Sequence, residues 1–211
     1  MAITTLNLRA LNRSDTASSG QVITATSATA ADFQTAASGA WTWISTTAMT
    51  GASSILVEGL NSTYDVYKVV LSNLHLATED GSQNVTAQFK QGGSIIAGSS
   101  YTYSAVTTIT NTEGNAYSSA SAAYLEILNN GTGNPTAEVN DIIMYIYHPA
   151  STSTYCQAFW TKIGYTHDNR ITQHSGGGAL LTTAATTGVQ FATYTGNFDG
   201  GNARLYGLAN S

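Results

Sequence analysis

The sequence has little charge and a single cysteine. Only 9% of its 211 residues are charged, against about a quarter in an average globular protein. Long solvent-exposed helices need Glu, Lys and Arg on their outer surface, so this composition argues against a helical protein. Cys156 is the only cysteine. An intramolecular disulfide is therefore excluded, which fits folding in a reducing cytoplasm.

Basic residues and long apolar runs are also scarce. The seven Lys and Arg are scattered along the chain, and the formal net charge is −5. Binding to nucleic acid needs a concentrated basic face, so we expect no nucleic-acid partner. No apolar run approaches the roughly twenty residues of a membrane helix. Arg9 and Arg13 also interrupt the N-terminus before the apolar part of a signal peptide could form, and we expect neither a membrane partner nor secretion.

The sequence does contain short segments rich in β-branched and aromatic residues. The longest that no Gly or Pro interrupts is residues 64–74. Within it Tyr67, Val69 and Leu71 fall on one side of an extended chain, while Lys68 is the only charge in the middle of the other side. A strand that is apolar on both faces predicts a neighbouring strand on each side and a second layer above it.

About ten such segments follow one another at spacings of 8–16 residues, with no helix-length periodic segment between them. This spacing predicts an all-β fold, an antiparallel two-sheet sandwich. We expect loops at the small or polar stretches 27–39, 114–122 and 176–178. The last two strands, 189–194 and 203–208, are predicted to form a hairpin, because Asp-Gly lies between them.

The first 19 residues differ from the rest, being apolar and basic with no acidic residue before Asp15. We predict an extended N-terminal arm over residues 1–19 and a β-sandwich domain over residues 20–211. The arm is either a first edge strand of the domain's own sheet or a segment that adds a strand or an apolar anchor to a neighbouring subunit. Under the second interpretation the contact residues are Ile3, Leu6, Leu8, Arg9, Leu11 and Arg13.

Groups that could carry out chemistry are sparse. His167 and Asp168, followed by His174, form the one cluster that could suggest a metal or a catalytic base. A zinc site needs three or four converging ligands, and a hydrolase needs a nucleophile held against its base. The neighbouring glycines 176–178, predicted as a loop, would leave such a site unsupported. We therefore expect no catalytic residue, no metal, no cofactor and no enzymatic activity.

Two tryptophans, Trp41 and Trp43, are two residues apart and so fall on one face of an extended segment. Two indoles on one face can form a platform on which a sugar ring stacks. An indole also has a large area to bury, and this favours the alternative that both belong to the core.

Three segments carry a resemblance: residues 6–11 with 20–25 (LNLRAL and GQVITA), residues 60–69 (LNSTYDVYKV) and residues 200–208 (GGNARLYGL). Together they resemble small virion structural proteins of tailed bacteriophages, whose β-sandwich begins and ends with strands of this kind. The resemblance spans nearly the whole chain. It implies a jelly-roll-like sandwich and a place on the virion.

Proteins of this kind resemble either capsid decoration (cement) proteins or tail-fibre components. The compact chain, its low charge and its N-terminal arm favour the first. The expectation is a decoration protein on the outer capsid surface, made in the host bacterial cytoplasm, which forms a homotrimer and clamps the major capsid protein. The alternative is a tail-fibre or receptor-binding module that recognises host surface carbohydrate through Trp41 and Trp43. A secreted lectin-like domain is disfavoured by the N-terminus and the single cysteine.

Overall fold

The computed structural model describes residues 21–27, 30–35, 41–78, 84–129, 131–133, 135 and 137–208. Every regular element in these ranges is a β-strand. The chain divides into two compact units, residues 1–40 and 41–211. In the first unit, β1 (Gln21–Ser27) pairs antiparallel with β2 (Ala30–Thr35). The loop predicted for this second segment is therefore wrong over residues 30–35, since pairing with β1 gives these backbone groups their hydrogen bonds despite low strand propensity.

The second unit consists of two antiparallel sheets. The larger has eight strands in the spatial order β3 (Trp41–Ala48), β15 (Phe198–Leu208), β5 (Val66–Leu76), β11 (Asn140–Tyr147), β12 (Cys156–Tyr165), β13 (Ile171–Leu180), β8 (Tyr101–Ile109) and β9 (Thr112–Ala122). The smaller has the order β10 (Leu125–Leu128), β6 (Val85–Gln91), β14 (Thr186–Thr193) and β4 (Ser54–Glu58), with β7 (Ser94–Ile95) paired to β6. The chain passes repeatedly from one sheet to the other. This confirms the predicted all-β fold, an antiparallel two-sheet sandwich.

The core lies between the two sheets. On β5, Tyr67, Val69 and Leu71 are fully buried, while the residues between them are half-buried. β5 has β15 on one side and β11 on the other, as its two apolar faces predicted. From the smaller sheet, Phe89 and Phe191 complete the core. Each large apolar side chain buried in this way stabilises the fold by about 1.5–3 kcal/mol.

A bulge in β5 keeps its inward side chains in phase with the core. Leu71 and Leu74 are both fully buried although they are three positions apart, an odd spacing that would place them on opposite faces of a regular strand. The irregularity falls at Asn73, which has φ 53°, a left-handed conformation in which Asn is enriched. Its N–H donates to Asp141 Oδ1 at 2.8 Å. Opposite, a Cβ on Gly201 would lie 2.8 Å from the Asn73 carbonyl oxygen, so only glycine fits there.

Two predicted loops are strands instead. Residues 114–122 lie within β9, and glycines 176–178 lie within β13, paired on both sides with β12 and β8. The glycines are compatible with a strand because side chains of the neighbouring strands fill the space that a glycine leaves empty. Trp160 of β12 and Ala105 of β8 fill the space beside Gly176. The structure has fifteen strands in its described part, against about ten predicted.

The predicted terminal hairpin is wrong. β14 belongs to the five-stranded sheet and β15 to the eight-stranded sheet, and the Asp199-Gly200 pair lies inside β15. Both strands have two neighbours in their own sheets. These pairings, with the burial of Phe191 and Leu205 on opposite sides of the core, outweigh the local turn preference.

Candidate functional site

One row of large side chains crosses the outer face of the eight-stranded sheet, the face directed away from the five-stranded sheet. Its members are partners in the strand register on five neighbouring strands, from the edge strand β3 through β15, β5 and β11 to β12. We call it the crossing row, and it consists of Trp43, Tyr206, Lys68, Tyr145 and Phe159. Four of the five are aromatic. Directly opposed residues on one face of a sheet are in contact range, so the row forms a continuous ridge.

The one charge in the crossing row is covered by rings. Lys68 Nζ lies 4.4 Å from the ring centre of Trp41 and 4.9 Å from that of Tyr206. Trp41 also packs against Tyr145, with ring centres 5.8 Å apart. A cation over aromatic faces at these distances is stabilised by the ring quadrupoles. This part of the outer face therefore presents aromatic surface rather than a free ammonium group.

Trp41 and Trp43 share one face, as their spacing predicted, but that face is the outer one. The side chain of Trp43 is 61% exposed, so the prediction that it belongs to the core is wrong; Trp41 is half-buried against Lys68 and Tyr145. The pairing of β3 with β15 slips by one residue at Ile44. The slip lets Ile44 pack against the core while both indoles point outward. Alternation alone could not choose between the two faces.

Beyond Phe159 the crossing row is interrupted by Gly177, and an open groove of about 490 Å³ lies there. Because Gly177 has no side chain, its backbone forms the floor of the groove. The aromatic residues that line it are Tyr103, Tyr147 and Phe159, and the polar side chains are those of Gln157, Thr102 and Ser104. Aromatic surface beside neutral hydrogen-bonding groups suits a sugar ring or an extended peptide better than a charged ligand.

His167 and His174, for which we expect no metal or catalytic role, do not come together. His167 lies in the turn after β12, where its Nε2 is 2.9 Å from Asp168 Oδ1. His174 points into the sandwich from β13, and its ring centre is 6.4 Å from that of Trp160. Burial, with a smaller contribution from Lys162, lowers the pKa of His174 to about 4. Within the described ranges no group of three His, Cys, Asp or Glu residues could hold a metal ion.

A buried carboxylate that sequence reasoning missed lies at the edge of the core. Glu126 accepts hydrogen bonds from Asn84 Nδ2 at 2.7 Å, Asn129 Nδ2 at 2.8 Å and the Tyr103 hydroxyl at 3.1 Å. Burial raises its pKa, although the three donors oppose that shift. Two of its partners, Asn84 and Tyr103, lie on other strands or loops more than 20 residues away, so no local pattern could have revealed the whole cluster. Three satisfied hydrogen bonds indicate a structural carboxylate rather than a reactive one.

The arm residues Ile3, Leu6, Leu8, Arg9, Leu11 and Arg13 lie outside the described residues. In the part of the chain that the structure covers, no helix is long and apolar enough to cross a membrane. No protein-family model matches the chain, and no curated protein or solved structure is significantly similar to it. The resemblance to phage virion proteins therefore rests on residues 6–11, 20–25, 60–69 and 200–208.

Proposed function

We propose that this chain is a non-enzymatic structural protein of a phage virion, a capsid decoration protein that adheres to the major capsid protein. The outer face of the eight-stranded sheet is the observation that carries the proposal. Besides the crossing row, it exposes Ile163 (57%), Val106 (47%) and Ile171 (41%). Apolar side chains grouped on one face are typical of surfaces that bind other proteins.

The distribution of charge supports adhesion rather than catalysis. On the outer face Lys68 is covered by two rings, and Arg204 donates to Ser72 Oγ at 2.7 Å. Asp141 accepts a hydrogen bond from the Asn73 backbone. Charges engaged within the protein leave the apolar residues to contact a partner, and depletion of free charge is typical of interface centres.

In this proposal the N-terminal arm and the outer face act together. The arm residues Ile3, Leu6, Leu8, Arg9, Leu11 and Arg13 anchor the protein to a neighbouring subunit, and three copies assemble as a homotrimer on the outer capsid surface. Cryo-electron microscopy of the particle tests the location. We expect density for this chain over the capsid lattice, and density confined to the tail would contradict the proposal.

Binding to phage particles that lack this protein tests the outer face and the N-terminal arm separately. Phe159 is 46% exposed and points away from the core, so Phe159→Glu should leave the fold intact and weaken binding about tenfold or more. Thr187→Glu is the matched control, because it adds the same charge at an exposed position of the other sheet. Deletion of residues 1–13 should also leave a folded protein and weaken binding. Full occupancy after both changes would exclude these contacts.

A second candidate is a tail-fibre or receptor-binding module for host surface carbohydrate. The exposure of Trp43 and the groove beside Phe159 favour it, because sugar rings stack on exposed aromatic side chains. Acrylamide, a neutral quencher, should quench the fluorescence of Trp43 while Trp160, which is fully buried, stays protected. If host glycans then shield Trp43 and Phe159→Ala abolishes that effect, this function replaces the first. If glycans leave the quenching unchanged, it loses its support.

A further inference from the structure

Several buried polar atoms inside the sandwich have no hydrogen-bond partner among the described residues. Lys162 is 1% exposed, Asn140 is 0% exposed and Glu138 is 7% exposed. The unpartnered atoms are Lys162 Nζ, both side-chain atoms of Asn140, and Glu138 Oε2. Leaving one buried polar group unpaired costs about 1–3 kcal/mol, and more if it is charged. Such a concentration of unpaired groups calls for a specific role.

The strand register brings the lysine and the asparagine together. Asn140 of β11 is opposite Gly164 of β12, and Lys162 is opposite Ile142. Asn140 and Lys162 are therefore diagonal neighbours, and both are buried on the inner face. Diagonal neighbours have Cα atoms about 7–8 Å apart, within reach of a long side chain.

Gly164 shows where the carboxamide of Asn140 lies. A Cβ on Gly164 would be 2.2 Å from Asn140 Oδ1 and 2.6 Å from its Cγ. The carboxamide thus extends across β12, the strand that carries Lys162. Any side chain at residue 164 would displace it.

The surroundings favour the neutral amine of Lys162. Burial lowers the pKa of this lysine to about 7. The neighbour opposite it on β13 is His174, a second base that is itself buried and has no hydrogen-bond partner among the described residues. A desolvated lysine without a carboxylate partner is a nucleophile near neutral pH.

A carboxyl group lies at the same end of the sheet. Glu138 precedes Asn140 by two residues, and its Oε2 occupies the space beside Gly133. Gly133 in turn donates its N–H to the carbonyl oxygen of Tyr165, at 3.4 Å, one residue after Gly164. Glu138 therefore packs against a glycine that is hydrogen-bonded to the end of β12, the strand that carries Lys162.

We propose that Lys162 and Asn140 form an intramolecular isopeptide bond. The lone pair of Lys162 Nζ attacks Asn140 Cγ, and the C–Nδ2 bond breaks. The Glu138 carboxylate takes a proton from Nζ and passes it to the departing Nδ2, so one ammonia leaves and no oxidant or cofactor is consumed. A neutral amide replaces a buried amine and joins β11 to β12 covalently. The proposal does not depend on which outer surface binds a partner.

The intact mass of the purified full chain tests the bond. We expect a mass about 17 Da below that of the sequence, the loss of one ammonia. A protease that cuts after aromatic residues cleaves between Asn140 and Lys162, at Tyr145, Tyr147 or Phe159. It should therefore release two peptides joined through these side chains. A wild-type chain at its full sequence mass would overturn the proposal.

Variants separate this bond from other losses of ammonia, such as a succinimide at Asn130-Gly131. Lys162→Met and Asn140→Ala should each have the full mass of their sequences, while Lys68→Met, which removes a lysine on the outer face, should keep the deficit. A deficit that persists in Lys162→Met would overturn the assignment. Should that variant fail to fold, the joined peptides of the wild-type chain decide alone. Glu138→Gln should abolish the bond, and bond formation in it would exclude Glu138 as the proton carrier.

Discussion

Gly176 of β13 is directly opposite Trp160 of β12, and the indole occupies the space that a side chain at residue 176 would need. A Cβ there would be 2.5 Å from Trp160 Cζ2 and 2.6 Å from the Cβ of Ala105. Trp160 is fully buried. The next residue, Gly177, faces outward. The atom nearest to a Cβ added there would be the carbonyl oxygen of Ala158, at 3.6 Å. Two adjacent glycines therefore have different roles.

Alanine substitutions at these two glycines should differ in their effect on stability. Gly176→Ala forces the Trp160 indole to move and should lower the free energy of unfolding by about 1–3 kcal/mol, as overpacking does. Gly177→Ala makes an ordinary contact and should change it by less than about 0.5 kcal/mol. Urea denaturation followed by tryptophan fluorescence measures both. Equal losses would contradict the role assigned to the indole.

Cys156 should be unreactive in the folded protein. It is 2% exposed, and burial raises the pKa of its thiol to about 12. Since the thiolate is the reactive species, a thiol reagent at pH 8 should label no cysteine in the native chain and one per chain in denaturant. Rapid labelling of the native protein would show that the Cys156 end of β12 opens.

Because of Glu126, the free energy of unfolding should fall as pH rises above the ordinary pKa of a glutamate. Burial raises the pKa of Glu126 in the folded state, so the folded chain holds this proton more tightly than the unfolded chain. The contribution is complete below about pH 4.5 and is lost as pH rises through the folded pKa. The stability of wild type relative to Glu126→Gln, from urea midpoints between pH 4 and 7, should fall with rising pH. A constant difference would contradict the shift.

His174 should have the opposite effect on the pH dependence of stability, because its pKa is lowered and not raised. Its pKa is lowered to about 4, mainly by burial, whereas an unfolded histidine titrates near 6.5. The unfolded chain therefore takes up this proton first, and stability is lost as pH falls from about 6.5 toward 4. His174→Phe keeps a ring against Trp160 and should remove that part of the pH dependence. An unchanged acid profile in this variant would exclude His174 as its source.

The sandwich and its central strand could be predicted from local pattern. Tyr67, Val69 and Leu71 alternate with half-buried residues, and that period places one set of side chains in the core wherever β5 lies. The prediction of a terminal hairpin was wrong because it relied on a local turn preference alone. Turn preference around Asp199 acts over a few residues, while the sheet that each strand joins is decided by distant partners.

The candidate site was only partly predictable. The spacing of Trp41 and Trp43 placed them on one face, but a slip in register at Ile44 decides which face that is. The crossing row joins residues as far apart in sequence as Trp43 and Tyr206. Likewise Lys162, Asn140 and Glu138 gave no motif, because their relation depends on the pairing of β11 with β12.

The sequence by itself determined the all-β class and the two-sheet architecture, because side-chain alternation, β-branched residues and scarce charge act within each segment. Only the tertiary structure decided which strands are neighbours, which way the two indoles point, and that a lysine and an asparagine are diagonal neighbours in the core. Those properties arise from pairing between segments as far apart in sequence as Trp41 and Leu208, where shape and burial at a distance outweigh local preference.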